Sequence, residues 1–219
     1  MSREAVLDKV RRAALRRGSP DPDRAQAVET RLAARAAHAP VPEIARTEGA
    51  ARLDRFEARA KAADAGVTRV PDVAALPAAL AEELRRRNLP AVIRTGADPL
   101  FRELDWGAVE RSEGVGRIDE PATLSRAELA VAETGSLALC SGPDNPVTLT
   151  FLGETHFAAL RAADVVDGFE SLWSEFRRRA LDPRTLNLVT GPSRSADIGQ
   201  TLQLGAHGPV ALHVFLIEG

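Results

Sequence analysis

Three short segments near the C-terminal end gather the side chains best suited to chemistry. Glu133 stands in Ala132-Glu133-Thr134-Gly135-Ser136. Ser193, Ser195 and Asp197 stand in Gly191-Pro192-Ser193-Arg194-Ser195-Ala196-Asp197-Ile198, and His207 in Gly205-Ala206-His207-Gly208-Pro209. A carboxylate beside a glycine-containing turn lies close to backbone N–H donors that can also meet an anion, which makes Glu133 the best single candidate for a reacting group. The same carboxylate can equally serve its own turn or a nearby arginine. Asp197 falls where a strand gives way to a helix or turn, the common place for ligands in parallel sheets, although aspartate caps helices just as readily. His207 can exchange protons or bind a carboxylate at neutral pH, while Gly208 and Pro209 account for its turn without it. Glu133 and His207 are therefore the candidates for catalysis. Thr134, Gly135, Ser136, Gly191, Ser193 and Asp197 are the candidates for holding a substrate.

Several other chemistries are excluded. No Gly-x-Ser-x-Gly elbow surrounds Ser193 or Ser195, so a serine nucleophile is not expected. No two histidines have helical metal-ligand spacing, and His156 and His213 fall in strand candidates where packing explains them, so no metal site is predicted. Gly114-Val115-Gly116 lacks the third glycine of a dinucleotide fingerprint, and there is no Walker loop. Gly142-Pro143-Asp144-Asn145-Pro146 reads as a turn whose backbone could line the same cleft. Cys140 is the only cysteine, so the chain alone makes neither a disulfide nor a thiolate-ligated cluster.

In order and spacing, the Ala-Glu-Thr-Gly-Ser turn, the Gly-Pro-Ser-x-x-Ala-Asp-Ile loop and the His-Gly-Pro turn resemble the LUD family of bacterial lactate-utilisation proteins, in its small protein-C type without iron–sulfur cysteines. That resemblance covers roughly the last hundred residues. It implies an α/β fold, a three-layer α/β/α sandwich like that of the CoA-transferase, ribose-5-phosphate isomerase and formyltetrahydrofolate cyclo-ligase group. It also implies a place in a multi-protein system that oxidises lactate to pyruvate, as an accessory or substrate-positioning subunit. The iron–sulfur clusters would then reside in partner proteins, and this chain would need no cofactor of its own. An alternative within the same fold is a stand-alone acyl-transfer or ligase-type enzyme in which Glu133 forms an acyl adduct or acts as a general base.

The elements that must position these residues follow from hydrophobic spacing. Val6, Leu7, Val10 and Ala14 predict a helix from Arg3 to Arg17, stopped at Gly18-Ser19-Pro20. Pro20 to Pro42 reads as a helix or a linker, and Glu43 to Ala65 as a second long helix ended by Gly66. Residues 1–65 are thus expected to form an N-terminal helical arm that docks on the main domain or on another copy, and 66–219 an α/β domain. Within that domain the pattern predicts strands at Val67–Val70, Pro90–Arg94, Ser136–Cys140, Pro146–Thr150, Thr155–Arg161, Leu186–Thr190 and Leu212–Ile217. Helices are predicted over Leu76–Arg87, Thr123–Val131 with Ser125 as cap, and Asp164–Ala180. Such alternation favours a largely parallel sheet with helices on both faces.

With 29 basic and 31 acidic residues, the formal net charge of −2 supplies no field that would draw the chain to nucleic acid or an anionic membrane. The charged N-terminus has no signal-peptide core, and no apolar run is long enough for a membrane span, so a cytoplasmic location is expected.

Overall fold

The computed structural model describes residues 2–15, 22–34, 41–198, 201–205 and 207–219. For residues 11, 13–15, 32–34, 195–198 and 201–204 it describes the backbone alone. The chain divides into two compact units, Met1–Pro40 and Val41–Gly219. The first contains helices α1 (Arg3–Leu15) and α2 (Pro22–Ala34), so the ambiguous segment after Pro20 holds a helix. Helix α3 (Gly49–Ala62) belongs to the second unit and packs Phe56 and Ala60 into its core.

The second unit is built on a six-stranded sheet whose pairings are all parallel. Its strands are β1 (Gly66–Val70), β2 (Val92–Thr95), β3 (Glu110–Glu113), β4 (Ala122–Arg126), β7 (Thr155–Arg161) and β12 (Ala211–Ile217), in the spatial order β1-β12-β7-β4-β2-β3. Alternation along the central strands separates the two faces. Phe157, Ala159, Phe215 and Ile217 point to one core with Leu76, Leu80 and Leu84 of α4 (Leu76–Arg86) and Phe101 of α5 (Pro99–Arg102). Ala158, Leu160, Leu212, Val214 and Leu216 point to the other. The i, i+4, i+8 leucines of α4 make a single apolar stripe, and Asp72 satisfies the Ala75 N–H just ahead of the helix.

The second face is covered by α3 and by a smaller sheet rather than by helices alone. This sheet has the order β8-β5-β6-β9, comprising β5 (Leu129–Val131), β6 (Ser136–Cys140), β8 (Val165–Val166) and β9 (Leu186–Val189). Helix α7 (Phe169–Arg178) seals it by packing Leu172 against Leu129, Val131, Ala138 and Val166. A short helix α6 (Thr148–Phe151) and a hairpin of β10 (Arg194–Ile198) with β11 (Thr201–Leu204) complete the unit.

Three expectations from the sequence are corrected. Thr123–Val131 is not a helix but strands β4 and β5. Every residue of Ala122–Ser125 and Leu129–Val131 is buried, and a strand covered on both faces carries no alternation to distinguish it from a buried helix. Pro146–Thr150 is not a strand: Leu149 N–H and Thr150 N–H turn back to the carbonyls of Pro146 and Val147 and lead into α6. The helix expected from Asp164 begins only at Phe169, because Val165 and Val166 pair with β5 and Gly168 is extended. The backbone of Asp197 lies in β10, next to its end, and its side chain lies outside the described residues. Strand β3, Glu110-Arg111-Ser112-Glu113, is an edge strand without an apolar residue and left no hydrophobic signal.

Candidate functional site

The Gly-Pro-Ser loop after β9 and the His-Gly-Pro turn before β12 meet face to face. Ser193 N–H donates to the Pro209 carbonyl at 2.9 Å, and Gly205 N–H donates to the Ser193 carbonyl at 3.1 Å. A Cβ at Gly208 would lie 3.3 Å from the Ser193 Cβ, so glycine permits this approach. Between them opens a cavity of about 200 Å³, lined by Gly191, Pro192 and Ser193 on one side, His207, Gly208 and Pro209 on the other, and Thr150 and Phe151 of α6. Leu188, Val189, His156 and Leu212 complete the wall. His156 and Leu212 sit at the beginnings of β7 and β12, so the cavity opens at the amino ends of the parallel strands, opposite to the usual rule for such sheets.

His156 is 1% exposed, and its Nε2 lies 2.7 Å from Ser125 Oγ. Burial pushes its pKa down to about 4, so at neutral pH the imidazole is uncharged. Its partner Ser125 is fully buried and unavailable as a nucleophile. His207 is exposed at the mouth. No arginine or lysine lines this cavity among the described residues, so its character is apolar with a few hydrogen-bonding groups.

The Glu-Thr-Gly-Ser turn joins β5 to β6 next to this site. Thr134 Oγ1 and Ser136 Oγ are 2.7 Å apart, and Ser136 Oγ is 2.6 Å from Thr190 Oγ1, giving a chain of hydroxyls that ends beside Gly191. Gly135 and Gly191 both have φ of +72°. A Cβ at Gly135 would collide with the Ala60 backbone nitrogen, and one at Gly191 with the Ala63 carbonyl. Both motif glycines therefore serve left-handed turns pressed against the end of α3. Glu133 donates its N–H to the Asp167 carbonyl at 2.9 Å, and its carboxylate lies beside Gly168, ahead of the first turn of α7, where a negative charge is favoured.

The structure thus brings Gly191, Ser193 and His207 into one cavity and ties Thr134 and Ser136 to it through Thr190. Glu133 is not among the residues lining that cavity. Thr150, Phe151 and His156 were missed. His156 carried only the signal of a histidine in a buried strand, and its pairing with Ser125 depends on the β4–β7 register. His213 faces the opposite core, with Nε2 3.0 Å from Thr68 Oγ1 and Nδ1 3.3 Å from Arg87 Nη2 and 3.2 Å from Glu83 Oε1. Burial, partly offset by Glu83, lowers its pKa to about 4. Among the described residues no group of three histidine, cysteine or acidic side chains could hold a metal.

Residues 119–217, which contain all three motifs, match the model of the LUD domain. The chain carries a LUD domain. It is 29% identical over 119 residues to lactate utilization protein C of Bacillus licheniformis, a match covering 52% of this chain and 50% of the relative. It is 32% identical over 87 residues to lactate utilization protein C of Geobacillus sp., covering 38% and 36%. It is also 35% identical over 118 residues to an uncharacterized protein of Neisseria meningitidis, covering 53% and 48%. The chain thus spans about half, or less, of the length of these curated relatives. A crystal structure of a DUF162 family protein from Deinococcus radiodurans superposes with a TM-score of 0.56 at 23% identity, covering 78% of this chain and 99% of that one, a likeness of fold. No helix among the described residues is long and apolar enough to cross a membrane.

Proposed function

We propose that this LUD-domain protein is a component of a system that oxidises lactate to pyruvate, acting as an accessory or substrate-positioning subunit. The observation that carries the reading is the convergence of the family's Gly-Pro-Ser and His-Gly-Pro segments on one cavity, with the hydroxyl chain from Thr134 through Ser136 to Thr190 at its edge. In this reading His207 at the mouth exchanges protons with the bound molecule, Ser193 and the backbone of Gly191 orient it, and neutral His156 offers a hydrogen bond from the wall.

Electron transfer falls to iron–sulfur partner proteins. Cys140 is the single cysteine, and burial together with Glu128 holds its thiol up at about 11, leaving it protonated at neutral pH. The six-stranded parallel sheet, with α4 and α5 on one face and α3 with a second sheet on the other, supports kinship with the CoA-transferase and cyclo-ligase group. The position of Glu133 outside the cavity lining weighs against an independent acyl transfer through it. A cytoplasmic setting fits such a system. The exposed Val6, Leu7 and Val10 of α1 suit self-association through the N-terminal helices. The test is growth of a strain lacking this protein: it should fail on L-lactate and grow normally on pyruvate. Normal growth on L-lactate would remove the assignment.

A further inference from the structure

Among the described residues no arginine or lysine lines the cavity above, whereas two arginines line a second crevice in the LUD-bearing unit. From β2 the chain passes through α5 toward the α4 face of the parallel sheet, whereas from β4 it passes into β5 on the opposite face. Strands β2 and β4 are neighbours, so their connections diverge at their carboxyl ends. Diverging connections leave an open crevice between the loops, the place where parallel sheets bind ligands. Here that crevice has a volume of about 320 Å³ and is lined by Asp98, Pro99 and Leu100 after β2, Arg126 at the end of β4 and Arg161 at the end of β7.

Its charges are incompletely matched. Arg126 has one close partner, Glu128 at 3.0 Å, and Glu128 is shared with Arg179. Asp98 is 3.8 Å from Arg126, beyond hydrogen-bond reach, and Arg126 Nε is buried with no partner. Arg161 is exposed and has no ion-pair partner among the described residues. Asp98 Oδ1 accepts from the Leu100 N–H at 2.9 Å, which leaves Oδ2 free to accept a hydrogen bond. Two guanidinium groups and one carboxylate oxygen are complementary to a carboxylate that carries a hydroxyl on the next carbon. Asp98 and Glu128 nearby disfavour a dianion.

We propose that this switch-point crevice binds a small 2-hydroxy monocarboxylate, its carboxylate held by Arg126 and Arg161 and its hydroxyl donating to Asp98. The anion site stands on the crevice alone, while the identification of lactate as occupant rests on the proposed function. Calorimetric titration of the full chain at low salt with L-lactate, propionate and lactamide tests it. L-Lactate should bind, propionate more weakly, and neutral lactamide at least about tenfold more weakly. Arg161→Gln should weaken L-lactate binding about tenfold without altering the unliganded melting temperature, and Arg126→Lys should retain part of the affinity. Equal binding of lactate and lactamide, no binding of lactate at tens of millimolar, or unchanged affinity in Arg161→Gln would overturn the site. Equal binding of lactate and propionate would overturn the role of Asp98. If Arg161→Gln weakens binding while the deletion strain still grows on L-lactate, the anion site stands and the lactate system falls.

Discussion

Replacing His156 by glutamine should flatten the dependence of stability on pH between 7 and 5. His156 is 1% exposed, and its pKa falls from 6.5 to about 4 on burial. Because the unfolded chain takes up the proton first, stability from this group is complete above pH 6.5 and is lost as the pH falls toward 4. One pKa unit is worth about 1.4 kcal/mol, so at pH 5 the loss is about 2 kcal/mol. Most carboxylates are still ionised at that pH and contribute little to the slope. His213, also lowered to about 4, adds a loss of the same sign in wild type and variant alike. Urea unfolding at the two pH values should show the wild type losing about 2 kcal/mol more than His156→Gln. Equal losses in the two proteins would refute the argument that His156 is buried neutral in the cavity wall.

Other substitutions address the surrounding architecture. Gly135→Ala and Gly191→Ala should each destabilise by roughly 2–4 kcal/mol in thermal or urea melts, through a left-handed backbone and a clash with α3. Gly142→Ala, with open space around its Cβ position, should stay within about 0.5 kcal/mol of wild type. Ser136→Ala, which cuts the hydroxyl chain between Thr134 and Thr190, should cost about 1–2 kcal/mol by the same measurement. Glu83 is nearly buried beneath Arg86 and Arg87, and its replacement by alanine should cost about 3 kcal/mol. Glu82→Ala, which breaks only an exposed pair with Arg85, should cost less than about 1 kcal/mol.

The strands β1, β6, β7 and β12 and the helix α4 were legible because each offers a clear apolar run or stripe of the right length. Strand β4 was not: at the centre of the sheet Ala122–Ser125 are buried on both sides, and Thr123 and Ser125 break the apolar run with polar groups whose partners come from distant segments. Strand β3 failed for the opposite reason, since its four residues are charged or polar at an edge. At the site, turn chemistry pointed to the loops holding Gly191, Ser193 and His207, because Gly and Pro mark turns directly. What sequence order could not supply was proximity. Nothing local indicates that α3 presses on both Gly135 and Gly191, that His156 lies against the cavity, or that Arg126 and Arg161 end neighbouring strands.

In the proposed function the cavity between the Gly-Pro-Ser and His-Gly-Pro segments serves lactate utilisation. The decisive experiment is complementation of a strain lacking the protein with wild type, His207→Ala or Glu133→Gln at matched protein levels. On L-lactate the wild type should restore growth, His207→Ala should fail, and Glu133→Gln should rescue at least in part; full rescue by His207→Ala would exclude His207 and its cavity from lactate utilisation.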